Sequence, residues 1–153
     1  MYKLDVKTLY EDNKDRLGLE IINGDLSFAR PITEGELHRP GLALTGFVKV
    51  FTYQRVQIFG NTETSYLADL SPEQRKLALQ NVMQFEIPCI IVTDKNDIFP
   101  EMLESANAHR ITIFRTHLKT THLIHLLGEY LDNKFAPTIT VHGSLVDVFG
   151  MGV

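Results

Sequence analysis

His117, His122 and His125 are the first residues in this chain whose type and spacing could do chemistry. His122, His125 and Glu129 stand at i, i+3 and i+7, one face of a helix, and imidazoles at i and i+3 can reach a single metal ion. That face lies opposite Leu123 and Leu127, where a surface helix places its solvent-facing polar groups, and no second ligand pair accompanies it. No metal is therefore expected. Cys89 sits inside Pro88-Cys89-Ile90-Ile91-Val92, an apolar run that reads as a buried strand, so it is expected to be a small core residue and not a nucleophile.

Strand ends offer a better geometric argument. In open α/β sheets ligands collect at the carboxyl ends of the strands, where loops and helix N-termini converge. Three such ends carry polar residues here: Gly60-Asn61-Thr62-Glu63, Thr93-Asp94-Lys95-Asn96 and Thr116-His117. Asn61, Thr93, Asp94 and His117 are the candidate binding residues for a small molecule, a nucleotide or a peptide. The plainer alternative is that these polar groups only cap the strands. Asp147-Val148-Phe149-Gly150 is similar to the Asp-Phe-Gly of protein kinases, but Val148 interrupts it and the companion motifs are missing. Gly150-Met151-Gly152 begins a glycine-rich pattern without completing a phosphate loop, and no Gly-x-Ser-x-Gly occurs.

The elements that would position these residues alternate between helix and strand. A helix over Val6 to Arg16 stops at Leu17-Gly18, and Leu19 to Ile22 reads as a strand with a turn at Asn23-Gly24-Asp25. Arg30 to Thr33 is a short extended piece, Gly35 to Gly41 a Gly- and Pro-containing connection, and Arg55 to Phe59 a strand. Ser71-Pro72-Glu73-Gln74 is a helix start with a capping box, and Ala78, Leu79, Val82 and Met83 form that helix's core side. Ile87 to Thr93, a helix over Pro100 to His109 with Met102, Leu103 and Ala106 inward, and Ile111 to Arg115 make a β-α-β unit with parallel strands. A last helix spans Thr121 to Lys134, with Leu123, Leu127, Tyr130 and Leu131 on its apolar side. The fold class expected is α/β, three layers α/β/α around a mostly parallel or mixed sheet.

Bulk properties narrow the function classes. The chain has 153 residues, 44% hydrophobic and 22% charged, which suits one soluble domain with a sizeable core. A net charge of −4 with scattered Lys and Arg gives no electrostatic case for nucleic acid or an anionic membrane. No apolar stretch approaches the roughly 20 residues that span a bilayer, and the N-terminus lacks a signal-peptide core, so a cytoplasmic location is the default. Beyond Ala136-Pro137, Thr138 to Gly143 and Leu145 to Gly150 read as two strands or one bulged strand. An end as apolar as Val148 to Val153 calls for a sheet to join, and the expectation is a chain cut short within a longer protein.

Five segments, in order, resemble the HPr kinase/phosphorylases: Arg39-Pro40-Gly41-Leu42; Arg55 to Gly60 with Glu63 and Tyr66-Leu67; Ile87 to Thr93; Arg115-Thr116 with Thr120-Thr121; and Thr140-Val141-His142-Gly143 with Leu145 to Gly150. The last is the most specific, although Ser144 and Phe149 depart mildly from the family's usual residues. The resemblance implies a bacterial cytoplasmic enzyme that uses ATP and magnesium, or pyrophosphate in some members, to phosphorylate a serine of the phosphocarrier HPr. The same enzyme removes that phosphate by phosphorolysis, in carbon catabolite regulation. It implies a homo-oligomer, hexameric in the family, and an N-terminal domain similar in fold to the nucleotide-binding domain of the muramyl ligases. His142 matches the family's active-site histidine, while the P-loop, its lysine and the catalytic aspartate would follow the last residue of this chain. Residues 1–134 are thus expected to form a non-catalytic N-terminal domain, structural, oligomerising or regulatory. Residues 135–153 would be the linker and first strands of a C-terminal kinase domain, its partner within the protein. A free-standing regulatory module binding a metabolite or nucleotide at the strand ends is the alternative.

Overall fold

The computed structural model describes residues 4–136 of the chain. Helix α1 (Val6–Leu17) starts where the Asp5 carboxylate accepts the Thr8 amide hydrogen and ends at Gly18, whose φ of 60° supplies the left-handed residue that closes a helix. On either side lie β1 (Leu4–Asp5) and β2 (Glu20–Ile21). Strand β3 (Pro31–Ile32) pairs antiparallel with β1 in a small ribbon. Then follow β4 (Leu37–His38), α2 (Gly41–Leu44), β5 (Val56–Phe59), α3 (Asn61–Ala68), α4 (Pro72–Met83), β6 (Cys89–Val92), α5 (Pro100–Ala108), β7 (Thr112–Arg115) and α6 (Thr120–Phe135).

The main sheet has the order β2-β7-β6-β5-β4. Its last four members are parallel, and β2 joins antiparallel with Ile21 opposite Phe114. The side-chain period of two splits each central strand between two cores. Phe59, Ile90, Val92 and Ile113 meet α2 to α5 on one face; Val56, Ile58, Cys89, Ile91 and Phe114 meet α1, α6 and the ribbon on the other. This is the expected three-layer α/β/α sandwich with a mixed, mostly parallel sheet.

Several local expectations hold in detail. Ser71 and Gln74 exchange both capping-box hydrogen bonds at the start of α4, at 3.2 and 3.0 Å, and Ala78, Leu79, Val82 and Met83 are buried. Burial pushes the Cys89 thiol up to about 12, so it stays protonated and inert.

Other elements differ from expectation. The 35–41 connection contains β4, and the 61–68 segment is a helix. On α5 the inward set is Met102, Ser105 and Ala106, with Leu103 only half-buried. Tyr130 of α6 is likewise half-buried, its hydroxyl donating to Asp12 Oδ2 at 2.6 Å. Strand β5 alternates in sequence as a half-exposed strand would, yet all four residues are buried. Both faces of the sheet are covered, and the Gln57 amide is held inside by the carbonyls of Thr52 and Arg55. Asn23, expected in a turn, prolongs the β2–β7 ladder through its side chain: Nδ2 donates to the Ile111 carbonyl and Oδ1 accepts from Ile113 N.

Candidate functional site

The carboxyl ends of β5, β6 and β7 lie side by side, as parallel strands require. Strand β5 runs straight into α3 through Gly60, where an added Cβ would stand 2.5 Å from Thr120 Oγ1 and 2.9 Å from an Arg39 terminal nitrogen. Only glycine tolerates that approach. Glu63, on the first turn of α3, is 2% exposed; its Oε1 accepts from Gly60 N at 2.8 Å and from Arg39 Nη2 at 2.7 Å. Arg39 Nε adds a contact to Oε2 at 3.1 Å, so the pair is bidentate.

Beyond β6 the chain turns through two consecutive non-glycine residues in the left-handed region, Asp94 at φ 57° and Lys95 at φ 55°. Their amides donate to the carbonyls of Leu118 and Thr116, which ties the β6 and β7 ends together. The turn aims the Asp94 carboxylate at the first turn of α6, where Oδ2 accepts from Thr120 N at 3.3 Å and from its hydroxyl at 3.2 Å. Asp94 therefore does the capping that Lys119, at the cap position, does not. Thr93 Oγ1 and Thr120 Oγ1 lie 2.6 Å apart. Asn96 Nδ2 reaches Asn61 Oδ1 at 2.9 Å.

Three of the four candidate binding residues, Asn61, Thr93 and Asp94, thus fall in one hydrogen-bonded network, with their polar atoms directed at one another. The fourth, His117, stands apart. It is exposed, with its ring packed against Gly18, and it helps line a separate concavity of about 360 Å3 with Glu20, Lys95, Arg115 and Thr116. Glu63 and Lys95 belong to the polar strand ends singled out in the sequence without being among the four candidates, and Arg39 and Arg115 are site residues that sequence reasoning missed. A glycine three before a glutamate carried a signal for Glu63, the spacing of a helix-capping carboxylate. His142 lies outside the described residues. His122 and His125 are exposed on α6, with His125 Nε2 3.9 Å from Glu129, and among the described residues no three His, Cys, Asp or Glu side chains gather as a metal site.

His38, at the carboxyl end of β4, packs on Phe51 at 5.4 Å between ring centres. Burial, and next the nearby Arg55 charge, hold its pKa below the usual imidazole value, while Glu63 pulls the other way. As pH falls below about 6.5, the unfolded chain takes up a proton at His38 before the folded one does. Folding stability should therefore decline over that window, well above the range where carboxylates titrate. Urea midpoints between about pH 7.5 and 5.5 should fall, and His38→Gln should flatten that slope. Equal slopes in both proteins would refute the assignment.

The family model described as the HPr Serine kinase N terminus matches residues 4–131. An HPr kinase/phosphorylase of Chloroherpeton thalassium is 44% identical over 150 residues, covering 97% of this chain and 44% of the relative. The HPr kinase/phosphorylase of Chlorobium luteolum is 48% identical over 124 residues, 81% of this chain and 37% of the relative. The chain thus spans less than half the length of these relatives. Among solved structures, the CBS and DRTGG domains of the regulatory region of Clostridium perfringens pyrophosphatase, complexed with the activator diadenosine tetraphosphate, superpose with a TM-score of 0.57. The match covers 88% of this chain and 55% of that one at 16% identity, a likeness of fold alone. No helix among the described residues is long and apolar enough to cross a membrane.

Proposed function

The chain belongs to the HPr serine kinase N-terminal family, and from that premise we propose that it is the non-catalytic N-terminal domain of a cytoplasmic, bifunctional HPr kinase/phosphorylase. In this reading residues 1–134 are the domain, and 135–153 link it to a C-terminal kinase domain that binds ATP and magnesium. That kinase domain phosphorylates and dephosphorylates a serine of HPr within a homo-oligomer. The observation that carries the reading is the pairing of a family match over residues 4–131 with relatives more than twice as long.

The chemistry of the described residues fits a supporting role. The 153 residues contain no Gly-x-x-x-x-Gly-Lys-Ser/Thr, the loop whose backbone amides and lysine would hold ATP phosphates. The strand-end network instead links three parallel strands to two helix N-termini. His142, matched to the family's active-site histidine, would act beside the transferring phosphoryl group as hydrogen-bond donor or charge partner once the kinase domain is complete.

Truncation tests the proposed boundary. Among the described residues two full cores are already formed, and on this reading removing residues 137–153 should shift Tm by less than the roughly 4 °C that corresponds to 1 kcal/mol in a domain of this size. A larger loss would mean that the tail belongs to the core of this domain.

A further inference from the structure

Outside the strand-end network, the concavity lined by Gly18, Glu20, Lys95, Arg115, Thr116 and His117 has no part in the proposed role. It opens at the carboxyl ends of β6 and β7, where this class of sheet places its ligands. Its volume, about 360 Å3, falls in the range of small-molecule sites. Arg115 holds the last position of β7, and one terminal nitrogen donates to the Lys95 carbonyl at 2.8 Å. The left-handed turn at Asp94-Lys95 makes that contact possible, and it fixes the guanidinium beside the base of the Lys95 side chain.

Two features mark the cationic groups here, one guanidinium donor without an acceptor and one ammonium without a counter-ion. Arg115 Nε is buried and makes no hydrogen bond among the described residues, a donor that folded proteins seldom leave unused. No carboxylate among the described residues lies within 4 Å of the Lys95 ammonium, and the nearest to Arg115 is the fully exposed Asp97, at 3.8 Å. Glu20, opposite Arg115 in the β2–β7 ladder, is the one carboxylate on the lining. The lining itself thus carries Lys95 and Arg115 against Glu20, with Asp97 near Arg115 but off the lining and the His117 ring as a further donor. A guanidinium beside an ammonium is the pairing that recognises a tetrahedral dianion.

We propose that the Lys95–Arg115–His117 concavity is an anion site that takes the phosphoryl group of a small phosphate-bearing metabolite. The site is distinct from the Arg39–Glu63 and Thr93–Thr120 network, whose charges and hydroxyls are already paired. It goes beyond the family reading, and phosphate binding here neither requires nor excludes action on HPr.

The test is a titration of the 153-residue chain with inorganic phosphate at constant ionic strength, followed by amide NMR. Saturable shifts are expected at Gly18, Lys95, Thr116 and His117. Arg115→Gln and Lys95→Met should each raise the phosphate Kd about tenfold or more, as loss of one charge-assisted hydrogen bond does. Lys76→Met, on the exposed side of α4, should leave it unchanged. Lys95 is exposed, so its replacement keeps the test open if Arg115→Gln disturbs the turn. Shifts that never saturate, or that spread evenly over surface lysines, overturn the proposal. So does a Kd unchanged by both substitutions.

Discussion

Glu63→Ala is expected to cost the domain about 3 kcal/mol. The carboxylate is 2% exposed and serves two partners at once, the Arg39 guanidinium and the Gly60 amide. Removing one member of a buried ion pair costs roughly 3–5 kcal/mol because a charge stays behind without its counter-ion. The Arg39 side chain is 38% exposed and water can reach it, which lowers that figure. The Gly60 N–H then loses its acceptor, which adds roughly 1–3 kcal/mol where water cannot enter. Chemical denaturation measures the sum. A loss below about 1 kcal/mol would mean that the pair behaves as an ordinary surface ion pair.

The second large effect is steric. Gly60→Ala places a methyl 2.5 Å from Thr120 Oγ1 and 3.2 Å from Thr120 Cγ2. Thr120 cannot swing away cheaply, because its hydroxyl is held by Thr93 at 2.6 Å and by Asp94 at 3.2 Å. Overpacking of this kind costs about 1–3 kcal/mol, and the short contact puts the expected loss at the upper end. The backbone is not the cause, since Gly60 has φ −105°, which any residue adopts. A double-mutant cycle separates the two explanations. In a Thr120→Ala background both Thr120 atoms are gone and only the Arg39 terminal nitrogen, 2.9 Å away, still crowds the methyl, so Gly60→Ala should cost at least 1 kcal/mol less than in the wild-type chain. Equal costs in both backgrounds would exclude Thr120 as the obstacle.

Much of the fold was legible because its strongest signals are local. The capping box at Ser71–Gln74, the glycine stop at Gly18 and the apolar runs of β6 and β7 each depend on residues close in sequence. The β-α-β unit then follows from strand, helix and strand in succession. What escaped reading depends on distant partners. Strand β4 has two residues, Leu37 and His38, and exists only because β5 offers it a parallel edge. Helix α3 has a polar sequence and buries only Glu63 and Leu67, so it carries little apolar periodicity to betray it. Gln57 is polar in sequence yet fully buried, because helices cover both faces of the sheet and its amide finds backbone carbonyls inside.

The candidate site was legible in location and not in wiring. The polar strand ends at Asn61, Thr93 and Asp94 do converge, because parallel strands finish at the same end of the sheet. Their side chains spend their hydrogen bonds on one another and on the first turn of α6, a pairing fixed by loop paths that periodicity does not encode. His117 lies at the same end but faces the Gly18 turn, and the left-handed Asp94-Lys95 pair sets Lys95 and Arg115 beside it. No motif announces two such residues in succession.

The central claim is that these residues form the non-catalytic front of an HPr kinase/phosphorylase, and HPr phosphorylation tests it most directly. The 153-residue chain, and the product of the reading frame continued past Val153, would each be incubated with HPr, ATP and magnesium, with serine phosphorylation read by mass spectrometry. The account predicts phosphoserine on HPr with the extended protein and none with the 153-residue chain. Turnover by the 153-residue chain alone, or an extended protein that leaves HPr unmodified, would contradict it.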